Sequence, residues 1–433
     1  MSNSLIGIAG LITVLVLMFL RVPLAYGFAF VGGIGLTILA NFQAGMTIFG
    51  MLPFSWSTTY SFTCLPLFIL MGLIISESKI ASDLYDAAYK CFGRLPGGLA
   101  IASLIACVFF SALSGTALAA AVTIGTICYP EMRKFKYDPG LASGCIAVGA
   151  TMDIMIPPSL PMIIYGMVAD VSVGKMFIAG FLPGLLEVLL FSLFIYIMVK
   201  VKPSLAPMPI KSFTSIEKID SLKGVLPVLV IFILVFGGLY GGIFTPTEAG
   251  SVGVIISFAV SFSMGRLSIE GLKKAIGQTL QITGAIFAII IGVMIFSTFL
   301  GLSGLSGTFS RWVVASGVTP LIFLTLVLAL YIPLGAVMEE ISMMMLTLPF
   351  YVPAAQALGI DLIWFGILII LAWQIGLVAP PVGIIAFVTQ SVVKEPSITT
   401  VYKGCLPFIA ALIIVEMLVL LIPDIALYLV KMT

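Results

Sequence analysis

Histidine is absent from the 433-residue chain, and Asp, Glu, Lys and Arg together make up only 9% of it. The first absence removes the commonest general base and metal ligand. Soluble domains carry roughly 25% charged residues. So few charges exclude a chain built around a polar domain, a helicase, kinase or dinucleotide enzyme among them, and leave no nucleic-acid footprint. Cysteine is scarce too. Cys64, Cys91, Cys107, Cys128, Cys145 and Cys405 show no C-x-x-C spacing and read as small apolar fillers. Gly93, Gly97 and Gly98 belong to no phosphate loop, because no G-K-[ST] follows. The stretch MSNSLIGIAGLITVLVLMFLRVP lacks a basic n-region and a small-residue cleavage site, so a retained first membrane helix is expected there.

Apolar residues are what the chain has in excess: 61% are hydrophobic and the mean hydropathy is +1.26. That much apolar surface does not fit inside a water-facing globule. At roughly 20 residues per membrane helix, the chain reads as an all-α polytopic protein of the lipid bilayer with ten to fourteen membrane segments. The most polar stretch, KVKPSLAPMPIKSFTSIEKIDSLK, holds Lys200, Lys202, Lys211, Lys218 and Lys223. It is expected to be a solvated cytoplasmic connector over 201–223, dividing residues 1–200 from 224–433.

The two parts resemble each other. Pro23 in RVPLAYGFAF and Pro246 in FTPTEAGSVG lie 223 positions apart, as do Pro157-Pro158 and Pro380-Pro381; Gly115 and Gly335 lie 220 apart. Several matches in one order at nearly one offset indicate duplication. Charge then sets the topology. If the N-terminus is outside and segments 97–130 and 318–349 are re-entrant hairpins, each part crosses five times, about ten crossings in all. The parts then face opposite ways. With this arrangement 17 of the 20 Lys and Arg fall on the inner side, leaving Lys175, Arg311 and Lys431 outside, as the positive-inside rule expects. Inverted repeats are a transporter architecture with the binding site at the repeat interface.

Chemistry is expected where helices are interrupted. Segment 97–130 is too long for one crossing, and its middle carries Ser111, Ser114, Gly115 and Thr116; segment 318–349 carries PLGAVMEE at its middle. Beside each hairpin is a helix, 140–168 or 362–388, broken by Pro-Pro. Proline removes an N–H and frees carbonyl oxygens ahead of it, and lipid cannot satisfy them. Hard cations favour such oxygens. Asp153, Glu339 and Glu340 are the functional candidates among the acidic residues in apolar segments, because each lies beside a break or a tip. Glu187 and Glu416 sit in uninterrupted helices and read as packed or protonated groups; Glu248 in FTPTEAG reads as a helix-start carboxylate. The substrate is expected between the tips, near Ser114, Gly115, Thr116, Ser159, Gly335 and Pro381, with an anion favoured by half-helix N-termini. An intramembrane enzyme is disfavoured by the missing histidine and the absence of G-x-S-x-G; a passive channel or a proton-coupled carrier is the alternative.

The strings LPLFILMG (65–72), FFSALSGTALAAAVTIG (109–125), IPPSLPMIIYG (156–166), MFIAGFLPG (176–184), GGIFTPTEAGSVG (241–253), LGAVMEEISMMMLTLPFYVP (334–353) and GLVAPPVG (376–383) occur in an order and spacing that span nearly the whole chain. Together they resemble the large membrane subunit of tripartite ATP-independent periplasmic (TRAP) transporters, the dicarboxylate-type large permease. The resemblance implies a sodium-driven importer of organic anions, carboxylates or sialic acid, in the bacterial inner membrane with a periplasmic N-terminus. It also implies an elevator mechanism and two partners, a small four-helix membrane subunit and a periplasmic substrate-binding protein. Two sodium sites are implied, the first at Ser114, Gly115, Asp153, Ile156 and Pro158, the second at Gly335, Gly376, Ala379 and Val382. The sequence departs from the family pattern at Asp153, commonly Gly, at Glu339, commonly Asp, and at Ala379, commonly Thr.

Overall fold

The computed structural model describes residues 3–20, 22–78, 80–114, 116–207 and 213–432; the side chains of residues 19, 61, 80, 81 and 112–114 are not among them. Among these residues all extended regular elements are helices. The first part contains α1 (Asn3–Phe19), α2 (Leu24–Leu39), α3 (Phe42–Ser57), α4 (Cys64–Glu77), α5 (Ile80–Phe92), α6 (Gly98–Ser114), α7 (Ala117–Lys134), α8 (Pro139–Ala150), α9 (Leu160–Val168) and α10 (Val173–Val201). The second contains α11 (Ser215–Tyr240), α12 (Pro246–Ser263), α13 (Ile269–Ser303), α14 (Leu305–Ala315), α15 (Pro320–Val337), α16 (Glu340–Ala357), α17 (Leu362–Val378), α18 (Ile384–Val393), α19 (Ile398–Leu421) and α20 (Asp424–Met432). By length and composition, α10, α11, α13, α15 and α19 can each cross a membrane. The chain is a multi-pass membrane protein.

Boundaries follow local chemistry. Thr245 and Glu248 form a capping box at the start of α12: the Thr245 N–H donates to Glu248 Oε2 at 2.8 Å, and Pro246 occupies the first turn. Hydrogen bonds from Thr245 hold the exposed Glu248 carboxyl below its usual range. Asp138 and Asp361, 223 residues apart, cap α8 and α17 in the same way, each accepting two backbone N–H bonds on Oδ1. A third signal lies inside the connector: Thr214 and Glu217 make a second capping box, so α11 begins at Ser215 within 201–223, where most of the described residues are exposed. The uncharged stretch 41–60 folds mostly into α3.

The element boundaries repeat. Shifting α7, α8 and α9 by 223 residues lands within one or two residues of the starts of α16, α17 and α18, and the expected hairpins become α6–α7 and α15–α16. Packing between the parts is reciprocal. Helix α2 packs on α13 and α12 on α4; α7 packs on α18 and α16 on α9; α8 packs on α19 and α17 on α10. Each pair is the exchanged counterpart of the other. Thr151 and Gln374, themselves 223 apart, meet directly: Gln374 Nε2 donates to Thr151 Oγ1 at 3.2 Å. Residues that meet their own equivalents lie on a pseudo-two-fold axis. Direction is legible as well. A Cβ on Gly140 would lie 3.2 Å from the Thr400 carbonyl oxygen, so α8 starts beside the start of α19. Trp364 Nε1, in the first turn of α17, donates at 2.8 Å to the Val419 carbonyl near the other end of α19.

The helix crossings are close where glycines meet. A Cβ on Gly404 would stand 1.8 Å from the Gly140 oxygen, and one on Gly144 would stand 2.3 Å from the Gly404 carbonyl carbon. At the α15–α17 crossing, a Cβ on Gly376 would stand 2.7 Å from the Gly335 carbonyl carbon. Small residues let helices approach in this way in the absence of a hydrophobic drive between them.

Charged links tie the ends of these helices together. Lys274 pairs with Glu77 at 2.6 Å, Arg266 with Asp83, and Arg133 Nη2 with Glu395 Oε1 at 2.7 Å. Tyr129 OH also donates to Glu395, at 3.1 Å. The Arg133 guanidinium holds the Glu395 carboxyl below its ordinary range. A depressed carboxyl adds stability that is present above the unfolded-state pKa and is lost as the pH falls through the folded one. Glu395 is half exposed, so the pair is worth under about 1 kcal/mol. Glu395→Gln is therefore expected to lower the unfolding temperature slightly at neutral pH, and the difference from wild type should vanish in acid. Thermal melts in detergent across pH measure this.

Candidate transport cavity

A cavity of about 560 Å³ lies where both hairpin tips and both broken helices come together. Thr116, Ala117, Leu118 and Ala119 line it from the first turn of α7; Glu339, Glu340 and Ile341 line it from the start of α16. Leu160 opens α9, and Ile384 and Ile385 open α18. Four helix N-termini therefore converge on one space. Opposite them, Ile69, Leu73 and Ser76 of α4 and Gln278, Gln281, Ile282 and Ile286 of α13 form a wall. No Lys or Arg lines the cavity among the described residues.

Thr116 and Glu339 occupy equivalent positions and do the same work. Thr116 Oγ1 accepts from the Ala119 N–H at 3.3 Å, capping α7. Glu339 Oε2 accepts from the Ser342 N–H at 3.2 Å and the Ser342 hydroxyl at 3.0 Å, capping α16. Glu340 is half-buried beside it, and its carboxylate interacts with those of Glu339 and Asp153. Asp153 sits in the break after α8, is 5% exposed, and faces the backbone N–H of Ala117. Its Oδ1 has no hydrogen-bond partner. Trp373 Nε1, also on a lining residue, is buried without an acceptor.

The other expected site residues are placed as follows. Gly115 lies outside the described residues, as does the side chain of Ser114. Ser159 is fully buried and does not line the cavity: its hydroxyl donates to the Ile154 carbonyl at 2.5 Å and caps α9. Ile156 is half-buried and Pro158 buried in the first break, and neither lines the cavity. Gly335 and Gly376 face each other at the α15–α17 crossing. Ala379 donates its N–H to the Gly376 carbonyl at 3.2 Å. The Pro381 and Val382 carbonyls accept from Tyr402 OH at 3.1 and 2.6 Å. Both Pro-Pro bonds are cis. Among the described residues no three Asp, Glu, Cys or His side chains converge closely enough to hold a metal ion; a cation here would rely on one carboxylate with backbone and hydroxyl oxygens. Sequence reading missed Trp373, Gln278 and Gln281, because nothing local marks a Trp or Gln in an apolar helix as facing a cavity, and it missed Tyr402, whose carbonyl partners lie about 20 residues earlier.

Residues 11–425 match the family model described as the tripartite ATP-independent periplasmic transporter, DctM component. This chain belongs to that family. The DctM-family chain is 33% identical over 393 residues to the C4-dicarboxylate TRAP transporter large permease protein DctM of Pseudomonas aeruginosa, covering 90% of this chain and 91% of that one. It is 29% identical over 414 residues to the sialic acid TRAP transporter large permease protein SiaM of Vibrio cholerae, covering 95% and 96%. These relatives are transporter permeases, not enzymes. In fold, this DctM-family chain is similar to the YdaH transporter of Alcanivorax borkumensis, with a TM-score of 0.62 at 13% identity over 88% of this chain and 89% of that one.

Proposed function

We propose that the chain is the large permease of a sodium-coupled importer of an organic anion in a bacterial inner membrane. In this reading a periplasmic binding protein delivers the anion and a small membrane subunit completes the assembly. The carrying observation is the convergence of four helix N-termini on a cavity without Lys or Arg. Each helix N-terminus carries a partial positive charge and first-turn N–H groups beyond the one its cap takes up, so together they favour an anionic group without a basic side chain. The relatives' names point to the same chemistry: C4-dicarboxylate, sialic acid and, for a fused permease of Oleidesulfovibrio alaskensis, isethionate.

The repeats are inverted in this reading. Support comes from α8 and α17, equivalent helices that start beside opposite ends of α19. Inner loops by charge also link to inner loops, as in Glu77–Lys274 and Arg133–Glu395. The hairpins are re-entrant, and the wall made by α4 and α13 is the scaffold past which the tips and breaks slide. Sodium supplies the positive charge that lets an anion share the cavity with Asp153, Glu339 and Glu340; its ligands would come from Asp153 and nearby backbone oxygens.

Reconstitution in proteoliposomes with the two partner proteins tests this. Uptake of labelled succinate or sialic acid is expected to require the binding protein and an inward sodium gradient; flux that needs neither overturns the reading. Leu118 is half exposed and lines the cavity from α7. Leu118→Trp is expected to cut uptake by roughly five- to thirtyfold, the factor that about 1–2 kcal/mol of overfilling produces, with expression and thermal stability kept.

A further inference from the structure

Three polar residues of the cavity have no counterpart in the other repeat. Asp153, Glu340 and Trp373 line it, while the positions 223 residues away hold Gly376, Ala117 and Ala150. In each case the equivalent break, tip or helix forms without such a group. Local structure makes no use of Glu340 either. The cap of α16 is Glu339, which accepts from the Ser342 N–H and hydroxyl. Glu340 follows it, half-buried, and its carboxylate interacts with those of Glu339 and Asp153. Asp153 is 5% exposed with Oδ1 unpartnered. Trp373 is 3% exposed, and its Nε1 is a buried donor without an acceptor. The indole lies close to the second hairpin: a Cβ on Gly335 would stand 2.7 Å from Trp373 Cδ1, the ring atom bonded to Nε1.

The cavity thus holds surplus acceptors and an orphan donor together. Unpaired buried polar groups cost stability, and carboxylates facing one another in an apolar interior cost more. A site that keeps both is complementary to a ligand that supplies both. With no Lys or Arg among the described lining residues, a positive charge for Glu340 has to come from outside the chain. One sodium beside Asp153 leaves Glu340 and the solute's own acid group uncompensated. A solute with an ammonium group removes that crowding, and its acid group meets the indole N–H and the helix N-termini. We propose that the transported solute is a small zwitterion, an amino acid or aminosulfonate. Its ammonium group is held by Glu340 beside Asp153, and its acid group by Trp373 Nε1 and the convergent helix N-termini. The proposal rests on the reading of this cavity as the transport site and names the class of acid it takes.

Thermal melts of the purified full-length chain in sodium buffer, titrated with acids matched except for an amino group, test it. The pairs are succinate against aspartate, glutarate against glutamate, and isethionate against taurine. In wild type the amino member of at least one pair is expected to raise the melting temperature at about tenfold lower concentration than its partner. That is the scale of one charge-assisted hydrogen bond. Glu340→Gln keeps the side-chain size without the charge; it is expected to abolish the preference and to bind the plain acids as well as wild type or better. Plain acids that bind wild type as well as their amino partners overturn the proposal and leave the anion reading standing; a Glu340 kept neutral by a proton gives this result. A preference that survives Glu340→Gln overturns it too, as does a variant that loses both members of a pair equally, which marks a structural carboxylate. No stabilisation by either member of any pair overturns both the proposal and the reading of this cavity as an anion site. Ligand-free melts check that the variant folds.

Discussion

Gly404→Val is expected to leave almost no folded protein. A Cβ at this position would stand 1.8 Å from the Gly140 carbonyl oxygen, 2.5 Å from its carbon and 3.0 Å from its Cα, all backbone atoms of α8. A side-chain neighbour would rotate away; a helix backbone does not. The only relief is to push α8 and α19 apart; α8 is buried along nearly its whole length, and the face of α19 toward the bundle, with Val401, Cys405 and Phe408, is buried as well. Overpacking that side chains absorb costs about 1–3 kcal/mol, and this clash exceeds it because nothing flexible takes up the displacement. Fluorescence-detected size exclusion after mild detergent extraction should show aggregated or absent protein. Gly277→Val, at a glycine whose added Cβ meets nothing within 4 Å, should run as wild type.

A second large effect is expected at Glu187, with opposite outcomes for two replacements. Its carboxylate is fully buried in α10 and accepts from Gln374 Nε2 at 2.9 Å, and the same amide nitrogen donates to Thr151. Glu187→Ala leaves an amide donor without its nearest acceptor and opens a void beside the pseudo-axis. The loss should be about 1–3 kcal/mol, seen as a lower unfolding temperature. Glu187→Gln keeps an oxygen for the Gln374 amide and carries no charge to bury, so it should match or exceed wild type. If Gln is as damaging as Ala, the residue works as a charge, and the packed role given to it here is wrong.

Much of the architecture was legible in the chain because the devices that make it are local. Proline pairs break helices wherever they stand, and the Asp138 and Asp361 caps announce their helices from their own side chains. The same holds for Glu248, read as a helix-start carboxylate and found in that role. The helix start inside the connector went unread because the stretch's polarity was weighed and its Thr214–Glu217 box was not. The site was less legible. Gly335 and Gly376 look alike whether they expose a carbonyl to an ion or let two helices touch, and the structure places them at a crossing. Ser159 looks like a ligand in sequence, yet its hydroxyl turns back onto its own loop. Tyr402 meets carbonyls 20 and 21 residues away and Trp373 matters for the cavity it lines, neither of which a local pattern records.

The Thr151–Gln374 contact has a consequence for the chain as a whole. Where a twin meets its twin, two copies of one residue would face each other like to like: two threonines at this spot would be too short to reach the buried Glu187, and two glutamines would crowd the same space. One short hydroxyl acceptor and one long amide donor resolve the meeting only as an unlike couple. The halves are thus no longer interchangeable at this contact, and a chain assembled from two copies of either would lack the unlike couple that now closes its centre.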